Sequence, residues 1–237
     1  MAGISNNEIK WVKSLWQKKN RDETGLFIAE GEKMLQEARQ SGFKVEKVYR
    51  REEIGEEAMS RISSQSSPSP VLAVLHQGGI PFPKDGKGLF LALDGVRDPG
   101  NLGTILRIAD WFGISGVYVS PDTVEVYNPK VVQSTMGSIF RVPVCECDIA
   151  KLCAEQRARG RRVYGTLLDG DNIYSQKLET EGLIVMGNES EGLSPAVRSE
   201  ITDALLIPSF ARGAGAESLN VAVATAITVS EFRRRSH

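Results

Sequence analysis

The sequence holds few of the residues that bind metal ions or form disulfides. It has two histidines and three cysteines, and the cysteines are Cys145, Cys147 and Cys153. An odd number of cysteines gives no disulfide framework, and the C-x-C-x5-C spacing suits tetrahedral zinc poorly. We therefore expect buried or inert thiols and no metal site.

Long apolar runs are absent as well. No segment approaches the roughly 18 consecutive apolar residues of a membrane span. Residues 1–16 also lack the continuous apolar core of a signal peptide. The composition, 41% hydrophobic and 25% charged, is ordinary for a globular protein. We expect a cytoplasmic protein.

The net charge is small, at −1, which argues weakly against a nucleic-acid partner. Basic residues are nevertheless concentrated in three places, near the start, in the middle and near the end of the chain: Lys10, Lys13, Lys18, Lys19 and Arg21; Arg157, Arg159, Arg161 and Arg162; and Arg233–Arg235. A local basic patch can neutralise phosphates even in a neutral chain. Each group taken alone fits a solvated helix face.

Two common nucleotide-binding signatures are missing. The segment PGNLG holds Gly100 and Gly103 but not the pattern G-x-G-x-x-G, and no G-x-x-x-x-G-K-[ST] sequence occurs. Both absences disfavour an oxidoreductase with a nicotinamide cofactor, which remains an alternative that dinucleotide titration would test.

The segment 76–88, HQGGIPFPKDGKG, is rich in glycine and proline and predicts a domain boundary. We expect a small α/β domain over 1–77, a linker over 78–88 and a larger domain over 89–237. In the larger domain, short apolar strands alternate with helices, which predicts a parallel sheet covered on both faces. The expected strands are 88–94, 116–120, 140–146, 162–168, 182–187 and 204–208.

Three glycine-rich segments of the larger domain carry the chemistry. They are DPGNLGTILRIAD at 98–110, VMGNESEGLS at 185–194 and IPSFARGAGAESLNVAVATAI at 207–227. Glycine turns allow a ligand close to the backbone, and ligands of open α/β sheets bind at the carboxyl ends of the strands. We expect one site built from all three segments.

Five polar residues in these segments are candidates, and each also has a simple structural interpretation. Asn101 lies where a helix N-cap is expected, and Ser218 and Asn220 lie at the start of the last helix. Arg107 follows Asn101 by roughly 9 Å along the helix axis and needs an anionic partner or a route to water. Glu189 lies in a glycine-rich turn, where it accepts hydrogen bonds or faces solvent.

Taken together, the residues resemble the three motifs of the SpoU/TrmH family, S-adenosylmethionine-dependent RNA ribose 2′-O-methyltransferases of the SPOUT superfamily. The motifs here are Asn101-Leu-Gly-Thr-Ile-Leu-Arg107-Ile-Ala109, Gly187-Asn-Glu189-Ser-Glu-Gly192 and Ile207-Pro208…Ser218-Leu219-Asn220. The resemblance covers about 88–235. Residues 27–33, FIAEGEK, resemble the small substrate-binding domain of such enzymes, which is similar to a ribosomal-protein RNA-binding fold. The loop over 208–217 is about three residues longer than is common in the family, which leaves its path open.

The resemblance implies an α/β fold with a C-terminal trefoil knot, a rare exception to ordinary topology. It implies that S-adenosylmethionine binds near Gly187, Ile207 and Leu219, with Thr166 in the pocket wall. Arg107 would activate the ribose hydroxyl, either as a base or by binding the phosphate and hydroxyl. The other four candidates, Asn101, Glu189, Ser218 and Asn220, would position the ribose and the motif loops.

The resemblance also implies a homodimer with its active site near the subunit interface and RNA as the partner. In the basic N-terminal segment, Lys18, Lys19 and Arg21 are the expected RNA contacts. Ribosomal RNA is preferred because of the additional N-terminal domain. A transfer-RNA substrate and a non-catalytic RNA-binding homologue stay open.

Overall fold

A computed structural model describes residues 4–83, 86–211 and 216–234. The chain forms two compact units. The first unit comprises Met1–Pro81 and Glu125–Arg141, and the second comprises Phe82–Val124 and Val142–His237. The break after Pro81 falls inside the predicted linker. The return of residues 125–141 to the first unit had no counterpart in the sequence analysis.

The first unit holds a three-stranded antiparallel sheet of order β1-β3-β2. Its strands are β1 Leu26–Glu30, β2 Val45–Arg50 and β3 Val71–His76. Its helices are α1 Asn6–Ser14, α2 Lys18–Thr24, α3 Glu32–Gln40, α4 Arg51–Ile54, α5 Glu56–Ile62 and α7 Pro129–Ser134. Helices α1 and α2 are separated at Gln17, which has extended backbone angles. Helices α4 and α5 are separated at Gly55, whose φ of 84° favours glycine.

The returning segment supplies part of the first unit's core. Val132, Ile139 and Phe140 are buried in one cluster with Phe27 and Phe43. The rings of Phe43 and Phe140 meet edge to face, with centroids 5.0 Å apart. Residues 1–77 therefore form only part of this unit. The strand expected over 140–146 shortens for the same reason, since Ser138–Phe140 forms a 3₁₀ turn of the first unit.

The second unit is built on a six-stranded sheet of order β6-β5-β4-β8-β7-β9 in which every pair is parallel. The parallel sheet predicted from the sequence is confirmed. Its strands are β4 Leu89–Leu93, β5 Gly116–Val119, β6 Val144–Glu146, β7 Val163–Asn172, β8 Gly182–Met186 and β9 Asp203–Leu206. The central strands β4 and β8 are almost wholly buried, which explains their continuous apolar sequences.

The helices of the second unit are α6 Pro99–Trp111, α8 Ile149–Ala158, α9 Pro195–Arg198 and α10 Val221–Arg234. Helices α6 and α10 pack against each other. Near its end α10 is fixed to α6 by Arg233, whose guanidinium donates to the carbonyls of Phe112 at 2.8 Å and Gly113 at 2.6 Å. Within the described residues, no helix has the length and apolar character needed to cross a membrane.

Candidate active site

The three glycine-rich segments leave the sheet at its carboxyl edge. The first follows β4, the second follows β8, and the third follows β9. Strands β4 and β8 are parallel neighbours with Leu93 opposite Met186, so the segments that follow them begin side by side. The topology therefore assembles the site at the edge where open α/β sheets bind ligands.

A chain of hydrogen bonds joins the polar residues of all three segments. The Asn220 Nδ2 donates to Asn101 Oδ1 at 2.9 Å, and the Asn101 Nδ2 donates to Glu189 Oε1 at 2.8 Å. The chain is anchored at the Asn220 end, because Asn220 Oδ1 accepts from the backbone N–H groups of Ala222 and Val223 at 3.0 and 3.3 Å. The N-terminus of α10 thus orients both amides toward the carboxylate.

The expectation that Asn101 caps its helix is wrong. Helix α6 begins at Pro99, and its N-cap is Asp98, whose Oδ1 accepts from the Asn101 N–H at 2.8 Å. A proline at the first helical position and an aspartate before it are common at helix starts. Asn101 lies inside the first turn of the helix, so its side chain is available to join Glu189 to Asn220. The capping interpretation of Asn220 is correct, and the same side chain has both roles.

Glu189 lies in a tight turn between Asn188 and Gly192, which exchange two backbone hydrogen bonds of 2.9 and 3.0 Å. A Cβ atom at Gly187 would collide with the backbone of Gly192, so the turn requires glycine there. Glu189 is half-buried. Among the hydrogen bonds of the described residues, its Oε2 accepts none, and this oxygen is available to a substrate.

Arg107 lies on the outer face of α6. Its neighbours Ile105, Leu106 and Ala109 are buried, whereas Arg107 itself is exposed. Within residues 4–83, 86–211 and 216–234, no acidic side chain pairs with its guanidinium. Of the two outcomes expected for Arg107, the ion pair is therefore not formed in this part of the chain. The guanidinium reaches water instead. An unpaired guanidinium is suited to bind a phosphate.

Three of the residues expected to hold the cofactor lie on or just after adjacent strands. Thr166 lies on β7, Gly187 follows β8 and Ile207 follows β9, and these strands are neighbours in the sheet. The Thr166 Oγ1 contacts the carbonyl of Val185 at 3.4 Å.

Two other expected site residues precede α10. Leu219 is apolar yet 47% exposed, as a side chain that covers a ligand would be without it. Ser218 is exposed and takes no part in the chain from Asn220 to Glu189. The arginine of the long loop, Arg212, lies outside the described residues.

The predicted RNA contacts divide into two exposed residues and one buried residue. Lys18 and Lys19 lie on the surface of α2 and pair with acids one turn away, Lys18 with Asp22 at 2.8 Å. Arg21 is 1% exposed. Its guanidinium pairs with Glu125 and donates to the carbonyl of Leu15 at 2.8 Å. The expectation that Arg21 meets RNA is wrong, because its charge is used inside the first unit.

Two of the four arginines in the middle basic group form ion pairs within their own unit. Arg157 contacts Glu200 at 3.0 Å, and Arg162 contacts Asp203 at 2.8 Å and Glu179 at 3.6 Å. These residues form surface ion pairs, so their charge is already balanced. The solvated-face interpretation fits this group better than a phosphate site.

Two of the three cysteines, Cys147 and Cys153, are placed as unreactive thiols. Burial raises the pKa of Cys147 to about 11 and that of Cys153 to about 12. Among the described residues, no group of histidine, cysteine and acidic side chains is arranged to hold a metal ion.

Three residues of the site were not among the sequence predictions: Asp94, Asp98 and Asn188. Asp98 could have been found, since an aspartate followed by proline at a strand-to-helix turn indicates a cap. Asn188 had a weaker indication, the preference of asparagine for turns in which its side chain binds nearby backbone N–H groups. Nothing in the sequence indicated that the buried Asp94 Oδ2 accepts from the Ser194 N–H at 2.7 Å.

Comparisons with known proteins agree with this geometry. The profile of the SpoU rRNA Methylase family matches residues 88–230, and that of the MRM3-like substrate binding domain matches residues 6–66. The chain is 32% identical over 249 residues to the 23S rRNA (guanosine(2553)-2′-O)-methyltransferase RlmP of Bacillus subtilis (strain 168), covering 98% of each protein.

Two solved structures are similar over nearly the whole chain. A Porphyromonas gingivalis protein assigned to the TrmH family of RNA methyltransferases has a TM-score of 0.89 at 40% identity, covering 99% of this chain and 100% of that one. An AdoMet-bound rRNA methyltransferase from Sinorhizobium meliloti has a TM-score of 0.88 at 33% identity, covering 99% and 97%.

The family profile covers most of the chain, and three motif residues of that region, Asn101, Glu189 and Asn220, are joined by hydrogen bonds. The resemblance stated from the motifs is thereby confirmed. The chain belongs to the SpoU rRNA methylase family and is an RNA ribose 2′-O-methyltransferase that uses S-adenosylmethionine.

Proposed function

We propose that this enzyme methylates a ribose 2′-hydroxyl of ribosomal RNA. The observation that carries the proposal is the hydrogen-bonded chain from Asn220 through Asn101 to Glu189. It holds a carboxylate with one oxygen available, in the same unit as an exposed arginine without a described partner. Two relatives that match nearly the full chain, RlmP of Bacillus subtilis and the Sinorhizobium meliloti enzyme, are named for rRNA, which supports this class of substrate over transfer RNA.

The protein has two tasks in this reaction. It must hold the ribose oxygen about 3–3.5 Å from the methyl carbon and in line with it, and it must assist loss of the hydroxyl proton. When bound, S-adenosylmethionine supplies a methyl group on a positively charged sulfur. The residues of this chain bind the RNA and the cofactor, and they align the ribose hydroxyl with the methyl group.

Arg107 is assigned to the target phosphate and the reacting hydroxyl. An arginine guanidinium stays protonated in proteins, so it acts best as a fixed positive charge. Bound beside the hydroxyl, it favours the developing alkoxide and so eases transfer of the hydroxyl proton to solvent water. The role of a phosphate and hydroxyl binder thus explains the requirement for arginine better than the role of a base.

Glu189, Asn101 and Asn220 are assigned to positioning. The two amides hold the Glu189 carboxylate by its Oε1, which leaves Oε2 to accept a hydrogen bond from the ribose or from Arg107. Ser218, in the loop that precedes α10, is likewise assigned to positioning the ribose and the motif loops. The cofactor pocket is assigned to Thr166 on β7, Gly187 after β8, Ile207 after β9 and Leu219 before α10.

The first unit is assigned to RNA binding. Its region over 6–66 matches a substrate-binding domain, and Lys18 and Lys19 present charge on its surface. Arg21 has no place in this assignment. An rRNA substrate also suits the cytoplasmic location expected from the sequence.

A homodimer and a C-terminal knot complete the proposal. Trp111 on α6 is 85% exposed, and Val223 on α10 is 48% exposed, so these packed helices present apolar side chains that a second copy would cover. Sedimentation at micromolar concentration should give a dimer, and a monomer would contradict this assignment.

Contacts of α10 with both α6 and the 3₁₀ turn Ile173–Ser175 support a threaded chain end, as a C-terminal knot requires.

The testing experiment is a map of ribose 2′-O-methylation in rRNA and tRNA. It compares native cells, a strain lacking this protein, and that strain carrying the native protein or Arg107→Ala. We expect loss of one rRNA position that only the native protein restores. A lost tRNA position would move the substrate to tRNA, and no lost position would support a non-catalytic RNA-binding homologue.

A further inference from the structure

The turn that carries Glu189 is fixed by the side chain of its neighbour. The Asn188 Oδ1 accepts from the backbone N–H groups of Ser190 at 2.8 Å and Glu191 at 3.1 Å. These two bonds close the turn from within. Since Glu189 lies between the acceptor residue and both donors, its backbone is held on each side.

The same side chain fastens the turn to the segment that leads into α6. The Asn188 Nδ2 donates to the carbonyl of Gly95 at 2.7 Å. Gly95 follows β4 and comes three residues before the Asp98 cap of α6. Asn188 therefore connects the turn that holds Glu189 with the chain that begins the helix of Asn101.

The segment on which Asn188 acts is itself held firmly. The Gly95 N–H donates to Ser120 Oγ at 2.8 Å. The preceding Asp94 is buried, and its Oδ2 accepts from the Ser194 N–H at 2.7 Å. The second glycine-rich segment thus binds two successive residues after β4, Gly95 through Asn188 and Asp94 through Ser194.

The chemistry requires an amide at this position. One short side chain must accept two backbone N–H groups and donate to a carbonyl, and an asparagine carries both kinds of group. Aspartate keeps the acceptors and lacks the donor, whereas alanine lacks both. Asn188 touches neither Asn101 nor any reacting group described above, so its effect passes through Glu189.

We propose that Asn188 is a positioning residue that holds Glu189 in reach of Asn101 and thereby sets the rate of methyl transfer. This inference rests on the role assigned to Glu189 in the proposed function. A displacement of about 1 Å in a catalytic group can lower a rate about 100-fold. The loss should fall on kcat, because the turn is repositioned while the cofactor pocket at the strand ends persists.

The experiment measures transfer of labelled methyl groups to rRNA purified from a strain lacking this protein. Asn188→Ala should lower kcat by about 10- to 100-fold, with the KM for S-adenosylmethionine changed by less than about 3-fold. Asn188→Asp keeps the acceptors that close the turn and replaces the donation to the Gly95 carbonyl by a repulsive contact between two oxygens, so it tests that link even if the alanine variant folds poorly. It should lower kcat at least several-fold. Asp148→Ala is the control. It also removes a side chain that accepts from a backbone N–H, at the start of α8, and it should leave kcat unchanged.

A double-mutant cycle with Glu189→Ala separates this inference from the function on which it rests. If Asn188 acts through Glu189, adding Asn188→Ala to Glu189→Ala should cost less than about 2-fold. If the fold losses in kcat of the two single variants multiply in the double variant, Asn188 does not act through Glu189. That result would overturn the positioning role of Asn188 and would leave the role assigned to Glu189 intact. A Glu189→Ala variant with native kcat would overturn both, and native protein that transfers no methyl group to this rRNA would refute the proposed substrate.

Discussion

The Asn220 Nδ2 and the Asn101 Oδ1 lie 2.9 Å apart, although 119 residues separate them in the sequence. Asn220 caps α10 and Asn101 lies in the first turn of α6, so one hydrogen bond joins the starts of two packed helices. Because Asn101 also donates to Glu189, a helix cap in the last motif determines how a carboxylate in the second motif is held. A mutation of Asn220 can separate its two roles, the cap of α10 and the hydrogen bond to Asn101.

Asn220→Asp should keep the stability of α10 and lose activity. A carboxylate still accepts from Ala222 and Val223 and is favoured at a helix N-terminus, but it cannot donate to Asn101. Asn220→Ala should lose both, with about 1 kcal/mol of stability removed. Thermal unfolding and methyl-transfer rates measure the two effects. Equal activity of the aspartate variant and the native protein would show that the Asn220–Asn101 bond is dispensable.

Arg107→Ala should lower methyl transfer at least about 100-fold, as loss of a charge-stabilising donor commonly does. S-adenosylmethionine affinity, measured by calorimetry, should stay within a few-fold. Arg107→Lys should recover little, because lysine lacks the planar fork that binds phosphate through two bonds. Arg159→Ala, at another exposed arginine of the same unit, is the control. Turnover close to native in Arg107→Ala would remove Arg107 from the reaction.

Arg21→Ala should destabilise the protein by about 3–5 kcal/mol, because it leaves the Glu125 carboxylate without its buried partner. Glu125→Ala should act similarly, and the double variant should cost less than the sum of the two. Urea unfolding gives these free energies. A surface-like cost below about 0.5 kcal/mol for Arg21→Ala would contradict the buried pair.

Lys18→Glu combined with Lys19→Glu should weaken RNA binding and make it less sensitive to salt. For every phosphate that the protein no longer neutralises, the slope of log affinity against log salt should fall by about 0.7–0.9. Lys151→Glu with Lys177→Glu makes the same change in net charge on the second unit and serves as the control. If both pairs of substitutions weaken binding equally, the effect is one of net charge and α2 does not bind the RNA.

Alkylation at pH 7.5 should leave Cys147 and Cys153 largely unmodified and activity unchanged. Their pKa values of about 11 and 12 keep both thiols protonated there, and the thiolate is the reactive form. Reactivity should rise only as the pH approaches these values. Mass spectrometry of peptides after iodoacetamide treatment measures it, and rapid labelling of either residue at pH 7.5 would contradict the burial.

Much of the second unit could be predicted because its information is local. The apolar strands β4 and β8 and the glycine turns after them are readable as short patterns, and the motif order identified the family. The first residue of α6 was missed because two neighbouring polar residues, Asp98 and Asn101, both suit a helix start. Only the position of Pro99 at N1 distinguishes them.

The composition of the first unit could not be predicted in the same way. Residues 125–141 lie between two strands of the larger domain in sequence, and their apolar residues match any core. That Phe140 packs on Phe43, and that Glu125 pairs with Arg21 across 104 residues, depends on burial shared by distant segments. A basic residue beside Lys18 and Lys19 looks identical in sequence whether its partner is a phosphate or a buried carboxylate.

The sequence by itself determined the alternation of strands and helices, the parallel sheet, the three motifs and the family. These follow from hydrophobic periodicity and from turn residues, which act over a few positions. The tertiary structure alone decided that Asn220, Asn101 and Glu189 form one chain, that Asn188 fixes its last member, and that Arg21 is buried. The physical reason is that hydrogen-bond direction and burial depend on which distant groups meet. A pattern of neighbouring residues in the sequence does not specify those meetings.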